Sequence, residues 1–484
     1  MKLADIIEKY IPGDWGDETV SDEKVHEVFC VRGADIVPIS NHNYSDIPKR
    51  YIGNKSKEEK VLSAGDIIIE KSGGSPTQST GRVVFVSEDL ISAKGKIVCS
   101  NFCVAFRVKS EWNPLYIYYY WQHIYNKGIF FNFEGKTSGI KNLQLENVLN
   151  AIDIEYIPIE VQNQIVASLS AIDDKLKVNR AINHNLEAMA KQLYDYWFVQ
   201  FDFPNEEGKP YKSSGGKMVW NEKLKREIPE GWDISLIKDI ATTYSGGTPK
   251  STNIEYYDNG EIAWINSGEL NSPIITKTTN YITKCGLENS SAKLYPSNSI
   301  LVAMYGATAG KVSLLTFEAC SNQAVCGVIP TIENMLYYVY FHISSLYSHF
   351  ITLSTGSARD NISQDTIKNI LLPIPTRNIL KLFDEKIGSI YQTIVNNYQQ
   401  IDSLTKQRDE LLPLLMNGQV SVNYDLSARR RVFSAFPSRS YLCHITNYVF
   451  PMAKELTDIL KAAAVVRDET VAEEYRNPSG QRTC

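Results

Sequence analysis

Short polar segments rich in Gly, Ser, Thr, Asn and Lys are the parts of this chain best suited to chemistry. Glycine lets another molecule approach the backbone closely, and hydroxyl, amide and cationic side chains can bond to phosphate. Asn and Gln can each form two hydrogen bonds with adenine, and Arg can do the same with guanine. A single such segment is most often a simple turn. Because these segments recur at matching places in two parts of the chain, we interpret them as candidate nucleic-acid contacts.

The candidate contacts form two groups, one in each half of the chain. In the first half they are Lys71, Ser72, Gly73, Gly74, Ser75, Gln78, Thr80, Arg82, Asn101, Lys136, Thr137, Ser138 and Lys141. In the second half they are Gly246, Gly247, Thr248, Lys250, Asn266, Ser267, Tyr305, Thr308, Lys311, Asn322, Gln323, Arg359 and Asn361. Both groups are expected to lie on loops that a folded scaffold holds in place.

Several other segments imitate enzyme motifs without completing them. Asn113-Pro114-Leu115-Tyr116 lacks the second proline of the Asn-Pro-Pro-aromatic loop that holds a flipped adenine, and we interpret it as a helix start. Gly306–Lys311 and Ser245–Lys250 do not match a phosphate-binding loop, and Pro249 removes an amide donor that such a loop needs. The seven histidines show no metal-ligand spacing. We therefore predict that this chain has no catalytic residues, binds no cofactor and holds no metal ion.

Composition excludes several classes of protein. The 484 residues exceed the ~250–300 at which a single core typically stops growing, so two or three domains are expected. The 50 Lys and Arg against 55 Asp and Glu give a net charge of −5, so a nucleic-acid binder would need its cations gathered locally. No apolar run approaches the ~18 residues of a membrane span, the start does not resemble a signal peptide, and the eight cysteines lack a disulfide spacing. We predict a cytoplasmic protein with reduced thiols and no membrane contact.

Comparison of the chain with itself indicates an internal duplication. Cys99-Ser100-Asn101 reappears as Cys320-Ser321-Asn322, and Asn113–Tyr116 reappears at the same offset as Asn334–Tyr337. A polar glycine segment and a long helical pattern follow in both copies. The shared order predicts two similar mixed α/β blocks of about 150 residues, each followed by one long helix.

The two long helical patterns have the 4-3 apolar spacing of a coiled coil over about five heptads. Polar residues Asn179, Asn183 and Asn397 occupy seam positions, where they lower stability but can fix the register of a pair. A lone amphipathic helix is usually an ordinary core element, whereas two matching ones favour mutual antiparallel pairing. The residues predicted to form this pairing are Leu169, Ile172, Leu176, Leu186, Leu193, Ile387, Ile394, Ile401, Leu404 and Leu411.

Several longer motifs resemble the specificity (S) subunit of type I restriction–modification systems. The segments are NLEAMA at Asn185–Ala190, LYDYWFVQFDFP at Leu193–Pro204, IPEGW at Ile228–Trp232, SGGTP at Ser245–Pro249 and RDELLPLLMNG at Arg408–Gly418. The resemblance covers residues 1 to about 422. It implies a non-catalytic subunit that binds double-stranded DNA, one half-site per target-recognition domain. It also implies docking of two methyltransferase (M) subunits, which use S-adenosylmethionine, and of restriction (R) subunits, which use ATP and magnesium.

The repeat and the resemblance together predict an α+β fold. Two similar mixed α/β target-recognition domains are separated by two long antiparallel coiled-coil helices, and the whole is a pseudo-twofold internal repeat. A basic run at Arg429–Arg431 and a short helix at 453–464 are expected in a C-terminal tail. The predicted boundaries are a first recognition domain (1–158), a central spacer helix (159–202), a linker (203–230), a second recognition domain (231–375), a distal spacer helix (376–418) and an atypical tail (419–484), with disorder as one expectation for it.

This chain departs from the family pattern in two places. The first block lacks the Pro-x-x-Trp opening of Ile228–Trp232 and starts with an acidic stretch at Asp14–Glu23, and its SGGSP falls elsewhere in the unit than SGGTP. We therefore expect the two domains to read unlike half-sites. The tail beyond Val422 is interpreted as a run-on, so truncation after Asn423 should leave DNA recognition intact.

Two other functions compete with DNA reading. A self-sufficient modification enzyme would need a cofactor-binding fold, for which this chain has neither room nor motif. A coiled-coil scaffold that binds only proteins is compatible with the near-neutral charge. Binding of random duplex DNA, with and without M subunits, would separate the scaffold from the DNA reader.

Overall fold

The computed structural model describes residues 1–75, 77–137, 140–355, 362–425 and 430–435 of a mixed α/β protein. The chain divides into two compact units. Unit 1 comprises residues 1–172 and the chain from Gln407 onward, and unit 2 comprises residues 173–406. None of the helices in the described ranges carries an apolar stretch of the length that crossing a membrane requires.

The strands and helices are numbered here in chain order. The strands are β1 (Ile7–Pro12), β2 (His26–Val31), β3 (Lys49–Ile52), β4 (Ile67–Glu70), β5 (Ser72–Gly73), β6 (Val83–Phe85), β7 (Ile97–Cys99), β8 (Cys103–Val108), β9 (Glu134–Thr137), β10 (Ile140–Leu143), β11 (Met218–Asn221), β12 (Arg226–Pro229), β13 (Asp233–Leu236), β14 (Ala241–Ser245), β15 (Ile262–Ile265), β16 (Ile274–Ile275), β17 (Tyr281–Ile282), β18 (Ser299–Ala303), β19 (Val312–Leu315), β20 (Cys320–Ser321), β21 (Val325–Pro330), β22 (Leu371–Ile374), β23 (Val420–Asp425) and β24 (Arg430–Ala435). The α-helices are α1 (Ile36–Ser40), α2 (Asn54–Lys60), α3 (Glu88–Lys94), α4 (Pro114–Asn126), α5 (Leu145–Ala151), α6 (Ile159–Tyr194), α7 (Ile237–Ile240), α8 (Lys284–Glu288), α9 (Leu336–Ser345), α10 (Tyr347–Thr355), α11 (Gln364–Lys368) and α12 (Arg377–Met416).

Unit 1 is built on an antiparallel sheet with the strand order β1-β8-β4-β6. The three isoleucines of β4, Ile67, Ile68 and Ile69, are buried, as β-branched side chains suit a sheet covered on both faces. Helix α4 packs against this sheet and contributes the buried Trp121. A second sheet, β3-β2-β7, adds a parallel pair between β2 and β7.

Unit 2 repeats the strand order of unit 1. Its main sheet is β14-β21-β18-β19-β16, and the first four strands pair antiparallel in the same order as β1-β8-β4-β6. Its second sheet, β17-β15-β20, pairs the central strand antiparallel with one neighbour and parallel with the other, as β3-β2-β7 does. The two units therefore share a topology despite their different loops.

The helix start predicted at Asn113 is confirmed. The Asn113 side chain accepts hydrogen bonds from the backbone N–H of Leu115 (2.9 Å) and Tyr116 (3.2 Å), and Pro114 occupies the first turn of α4. Asn is favoured at this position because its oxygen satisfies amide groups that a helix leaves unpaired. The segment is thus a helix cap.

The segment predicted as a linker, residues 203–230, is an ordered part of unit 2. Strands β11 and β12 form a hairpin in which Met218 lies opposite Pro229. Phe203 and Ile228 are buried in the same core as Trp232. The Gly, Pro and Ser residues that indicated a linker instead form the turns of a packed segment.

The central long helix differs at its end from the predicted range 159–202. Helix α6 ends at Tyr194, and one π-helical turn, Asp195–Val199, follows it. The π turn points Trp197 and Phe198 into the core of unit 2, where both are buried. Helix α12 agrees with the predicted range 376–418 to within two residues at each end.

Segments of α6 and α12 contact each other inside each unit. In unit 2, Asn179 donates to Gln400 (3.2 Å) and the ring of Tyr194 lies 6.3 Å from that of Phe383, so residue numbers rise on α6 as they fall on α12. These segments therefore run antiparallel. In unit 1, Leu169 of α6 shares a buried cluster with Leu412 of α12. Pairing of the helices along their whole length as a coiled coil stays a prediction.

Only the start of the predicted tail, residues 419–484, lies within the described residues. There Val420–Asp425 pairs antiparallel with Arg430–Ala435 in a β-hairpin. Disorder of the tail stays a prediction. Asn423 lies inside β23, so truncation there would divide this hairpin. The helix predicted at 453–464 lies outside the described residues.

Candidate nucleic-acid interface

Four polar loops of unit 2 meet at one edge of its main sheet. The loop 246–250 follows β14, the loop 305–311 follows β18, and the loop 322–324 precedes β21. Because Ser245 pairs with Cys326 and Ala303 pairs with Val325, these strand ends lie side by side. The fourth loop, 266–271, follows β15, which runs parallel to β20 and therefore ends at the same edge.

Side-chain hydrogen bonds connect these loops. The side chains of Thr248 and Gln323 bond to each other, and Asn322 donates its amide to the Asn266 oxygen at 3.3 Å. The Thr308 hydroxyl donates to the Ser267 carbonyl at 2.8 Å. Lys311 Nζ donates to Asn271 Oδ1 at 2.5 Å. The structure thus brings together the predicted residues of the second half, apart from Arg359 and Asn361, which lie outside the described residues.

Gly246 and Gly247 serve a different purpose from the one expected. A Cβ on Gly246 would lie 2.0 Å from the carbonyl oxygen of Asn322, and one on Gly247 would lie 2.2 Å from the amide nitrogen of Ala292. Their own amides donate to Val325 O (2.9 Å) and Ser321 O (2.8 Å). Glycine is therefore required because the protein backbone approaches here, and neither amide is free for phosphate.

The exposed groups of this edge are amides, hydroxyls and a lysine. Thr248, Lys250 and Gln323 are exposed, Asn266, Ser267, Tyr305, Lys311 and Asn322 are half-buried, and Thr308 is buried. Amide groups that remain accessible on a rigid scaffold can bond to base edges, and lysine can contact phosphate. We refer to the loops 246–250, 266–271, 305–311 and 322–324 as the unit 2 polar edge.

The predicted residues of unit 1 gather around a small sheet. Its order is β5-β10-β9, and Ser72 and Gly73 lie opposite Asn142 and Lys141. Lys136 and Thr137, predicted on a loop, lie in strand β9, because β9 pairs with β10 as a hairpin. Ser138 lies outside the described residues. The turn at Asn101 joins this group, since the next carbonyl, that of Phe102, accepts from Lys71 N (2.8 Å) and Ser72 N (3.0 Å).

Several predicted contacts of unit 1 are held inside the protein. The Arg82 guanidinium forms two hydrogen bonds with the buried Glu70 carboxylate (2.8 and 2.5 Å) and a third with Gly33 O (3.0 Å). A base contact by Arg82 would require Glu70 to release it. Lys141 pairs with Glu134 at 2.9 Å and lies 4.9 Å from the ring centre of Phe131.

Glu134 organises the same region. Its carboxylate accepts from both the amide (2.7 Å) and the hydroxyl (3.1 Å) of the buried Thr80. Partial burial raises the pKa of Glu134, but the bonds from Thr80 and Lys141 outweigh it and leave that pKa below its ordinary value. Among the predicted residues of unit 1 whose burial the structure describes, Lys71, Gly74, Gln78 and Asn101 are exposed.

Sequence reasoning missed the turn that follows β1. In the shared topology, β1 of unit 1 corresponds to β14 of unit 2, so this turn corresponds to the turn that contains Gly246 and Gly247. A Cβ on Gly13 would lie 2.0 Å from Ser100 O, and Asp14 N donates to Cys99 O at 2.7 Å. Both turns contact the Cys-Ser-Asn segment that occurs in each half of the chain. This repeated segment was the sequence signal that could have identified the turn in unit 1.

Asp14 and Arg50 give this turn its shape. The Asp14 carboxylate accepts from Ser56 Oγ (2.5 Å), Gly16 N (2.9 Å) and Lys60 Nζ (3.4 Å). Arg50 lies over the ring of Trp15 at 4.8 Å, and its buried Nε has no hydrogen-bond partner within the protein. Trp15 is 37% exposed. The Arg50 guanidinium also pairs with Glu18 at 3.1 Å, so the exposed part of the Trp15 ring is the group here that can stack on a base.

In the described part of the chain, no group of three or more His, Cys, Asp or Glu side chains is arranged to hold a metal ion. Cys30, Cys99, Cys103, Cys320 and Cys326 are buried free thiols. Burial raises the pKa of the Cys103 thiol to about 11, which keeps it protonated and unreactive at neutral pH.

Comparisons with known proteins all point to the same family. The model for the type I restriction modification DNA specificity domain matches residues 34–188 and 229–411. The MjaIX specificity subunit of Methanocaldococcus jannaschii is 27% identical over 280 residues, which are 57% of this chain and 62% of that protein. This chain therefore aligns with less than two thirds of that relative. The HindI specificity subunit of Haemophilus influenzae is 24% identical over 440 residues, covering 78% of this chain and 90% of that protein.

Among solved structures, the type I restriction–modification S subunit of M. genitalium aligns with 86% of this chain and 95% of its own, at 14% identity and a TM-score of 0.49. The family model is the stronger finding, because its two matched regions together cover more than half of the 484 residues. One matched region falls largely in unit 1 and the other largely in unit 2. The chain therefore belongs to the family of type I restriction modification DNA specificity domain proteins.

Proposed function

We propose that this protein is the DNA-reading subunit of a type I restriction–modification complex and that it binds a bipartite double-stranded target, one half-site per unit. The observation that carries the proposal is that the family model matches twice, once in each unit, and that each unit gathers polar loops around the ends of its strands. The chemistry stays with other subunits, so this chain is not an enzyme. The relatives that resemble it are named specificity subunits, which supports this assignment.

In unit 2, the polar edge supplies the reading groups. The exposed Gln323 offers an amide that can form paired hydrogen bonds with adenine in the major groove. Lys250 contacts phosphate, which fixes the position of the unit on DNA without selecting a sequence. The bond between Thr248 and Gln323 holds the glutamine amide in place before DNA arrives, so less conformational entropy is lost on binding.

In unit 1, the reading groups differ from those of unit 2. Lys71, Gln78 and Asn101 are exposed members of the predicted set, and Trp15, whose ring lies against the Arg50 guanidinium, adds an aromatic surface on the turn after β1. Because the two units present different side chains on a shared topology, they read unlike half-sites.

The long helices α6 and α12 form an antiparallel coiled coil between two copies of a duplicated unit and set the number of base pairs between the half-sites. They also dock two M subunits, which bring S-adenosylmethionine and methylate adenine, and the R subunits, which use ATP and magnesium. This chain binds none of these cofactors and works in the cytoplasm. The antiparallel contacts of Asn179 with Gln400 and the shared topology of the two units support this arrangement.

A mobility-shift titration of the chain with its M subunits on random duplex DNA and on a cognate target tests the proposal. Preferential retardation of the cognate duplex supports a sequence reader. Assembly with M subunits but equal, weak retardation of both duplexes would replace it with the protein-binding scaffold. Methyl transfer by the chain alone would instead indicate a self-sufficient enzyme.

A further inference from the structure

In unit 2, aromatic side chains fill the space where the chain leaves helix α6. The ring of Phe198 lies 4.7 Å from that of Tyr338 on α9 and 4.8 Å from that of Phe383 on α12. Phe203 stacks on Trp232 at 5.1 Å. All five residues belong to one buried cluster. The end of α6 is thus anchored by large rings supplied by the chain that follows it.

In unit 1, helix α12 ends in a similar place but with smaller side chains. Its buried residues Leu412 and Leu415 share a core with Tyr116 of α4 and Ile165 of α6. The next residues, Asn417 and Gly418, supply no ring. A cleft of about 550 Å³ remains open here, with a lining that includes Tyr116, Tyr120, Glu155, Val161, Met416 and Val420.

The walls of this cleft are apolar and its rim is acidic. Val161 is 40% exposed and the neighbouring Tyr156 is 56% exposed, so apolar surface remains open to solvent here. Two exposed carboxylates also line it: Asp153, which pairs with Lys2 at 2.9 Å, and Glu155. Covering apolar surface is favourable by roughly 25 cal/mol per Å², so an aromatic occupant carrying positive charge would fit.

The hairpin after α12 leads the chain back to this cleft. Val420, which lines the cleft, lies directly opposite Ala435 in the β23–β24 ladder. Phe436 is the next residue in the sequence after Ala435. The segment 436–451, FPSRSYLCHITNYVFP, is rich in aromatic residues, contains Arg439 and has no Asp or Glu.

We infer that the cleft of unit 1 is a docking site for segment 436–451 of the same chain. Phe436 enters between Tyr120 and Val161 and takes the role that Phe198 has in unit 2. Arg439 pairs with the Glu155 carboxylate of the rim. This docking anchors the end of α12 and is separate from the reading of DNA, so it stands whether or not the proposed function holds.

Photo-crosslinking of the full-length chain tests the docking. A benzophenone amino acid replaces Phe436 in an equal mixture of isotopically light and heavy protein, and mass spectrometry locates the adducts. The expected result is an adduct within single chains, concentrated on cleft residues such as Met416 and Val161. Val161→Arg, which places a bulky charged group in the cleft, should reduce these adducts at least fivefold. Val37→Arg, at a comparably exposed valine of unit 1 outside the cleft lining, should leave them unchanged.

Three outcomes would overturn the inference. Adducts spread evenly over the surface would show that the segment has no fixed site. Adducts only between light and heavy chains would show that a second copy occupies the cleft. Cleft adducts that persist at full yield in the Val161→Arg variant would show that proximity to the hairpin, rather than binding, produces them.

Discussion

Asn397 on α12 donates its side-chain amide to the Oδ1 of Asn183 on α6 at 2.8 Å, and both side chains are buried between the two helices. Asn183 in turn donates to the carbonyl of Ile394 at 3.3 Å. A buried amide pair stabilises less than two leucines would, but any other register of the helices leaves both amides without partners. The pair therefore selects one register within unit 2.

Replacing one member of this pair should destabilise unit 2 more than replacing both. Asn183→Leu leaves the Asn397 amide buried without its partner, which is expected to lower the free energy of unfolding by about 1–3 kcal/mol. The double variant with Asn397→Leu should recover most of that loss. Urea unfolding followed by far-UV circular dichroism measures both. The exposed Asn396→Leu serves as control, and equal losses for the single and double variants would contradict the argument.

Removal of the glutamine amide at the unit 2 polar edge should weaken recognition of one half-site. Gln323→Ala is expected to reduce the preference for cognate over random DNA by about 1–3 kcal/mol, roughly 5- to 150-fold, because a paired base contact is lost. Competition binding by the complex with M subunits at fixed salt measures this ratio. Gln399→Ala, on the exposed face of α12, should leave it unchanged. A uniform loss on every sequence would assign Gln323 to phosphate contact instead.

The ion pair between Arg82 and Glu70 leads to a prediction about stability rather than DNA. Arg82→Leu leaves the Glu70 carboxylate buried without its partner and should lower the free energy of unfolding of unit 1 by about 3–5 kcal/mol. The double variant with Glu70→Leu should be closer to the wild type in urea unfolding. The folded Arg82→Leu protein should bind the same half-site sequence as the wild type. An altered base preference in unit 1 would show that Arg82 reads DNA.

The Asp14 carboxylate should make the turn after β1 sensitive to acid. Burial raises the pKa of Asp14, but bonds from Ser56, Gly16 and Lys60 outweigh it and lower that pKa below its ordinary value. A lowered pKa contributes stability above the unfolded value of about 3.9, and this contribution is lost as pH falls through the folded value.

Asp14→Asn should therefore lower the free energy of unfolding of unit 1 by about 1 kcal/mol after allowance for solvent screening. Between pH 7 and pH 5 the resulting decrease in the urea midpoint should be constant. The difference from the wild type should shrink below about pH 4. Asp22→Asn, on the exposed part of the same loop, is the matched control. A difference that grows as the pH falls would contradict the direction of the shift.

Local chemistry made parts of this structure predictable from sequence. The Asn113 cap followed from an Asn-Pro pair before an apolar run, because capping depends on residues a few positions apart. The seam positions Asn183 and Asn397 followed from heptad spacing, and both are buried. Gly246 was recognised as a place of close approach, but the partner, the carbonyl of Asn322, is far away in sequence.

Features that depend on contacts between residues far apart in the chain could not be predicted from the sequence. Asp14 was noted only as the start of an acidic stretch, because Ser56 and Lys60, which bind it, lie more than 40 positions away. Arg82 was interpreted as a DNA contact because its partner Glu70 is recognisable only once β4 is in place. Long-range ion pairs leave no periodic signal, and they decide which cations are free to bind DNA.

Shortening both long helices should change the spacing of the target but not its half-sites. Deleting one heptad from each removes about 10 Å of helix, which corresponds to about three base pairs of DNA. Mapping the methylated motif in cells that express the variant with its M subunit measures the spacer. Deleting the last seven residues of the chain is the control. An unchanged spacer would show that the helices do not set it.

The most direct test of the account is to map adenine methylation across the genome of cells that express this chain with its M subunit. The predicted result is a methylated motif with two unlike half-sites separated by a fixed number of unspecified bases. Gln323→Ala should relax the base preference of only one half-site. A single uninterrupted motif, or methylation independent of this chain, would contradict the view that each unit reads its own part of the target.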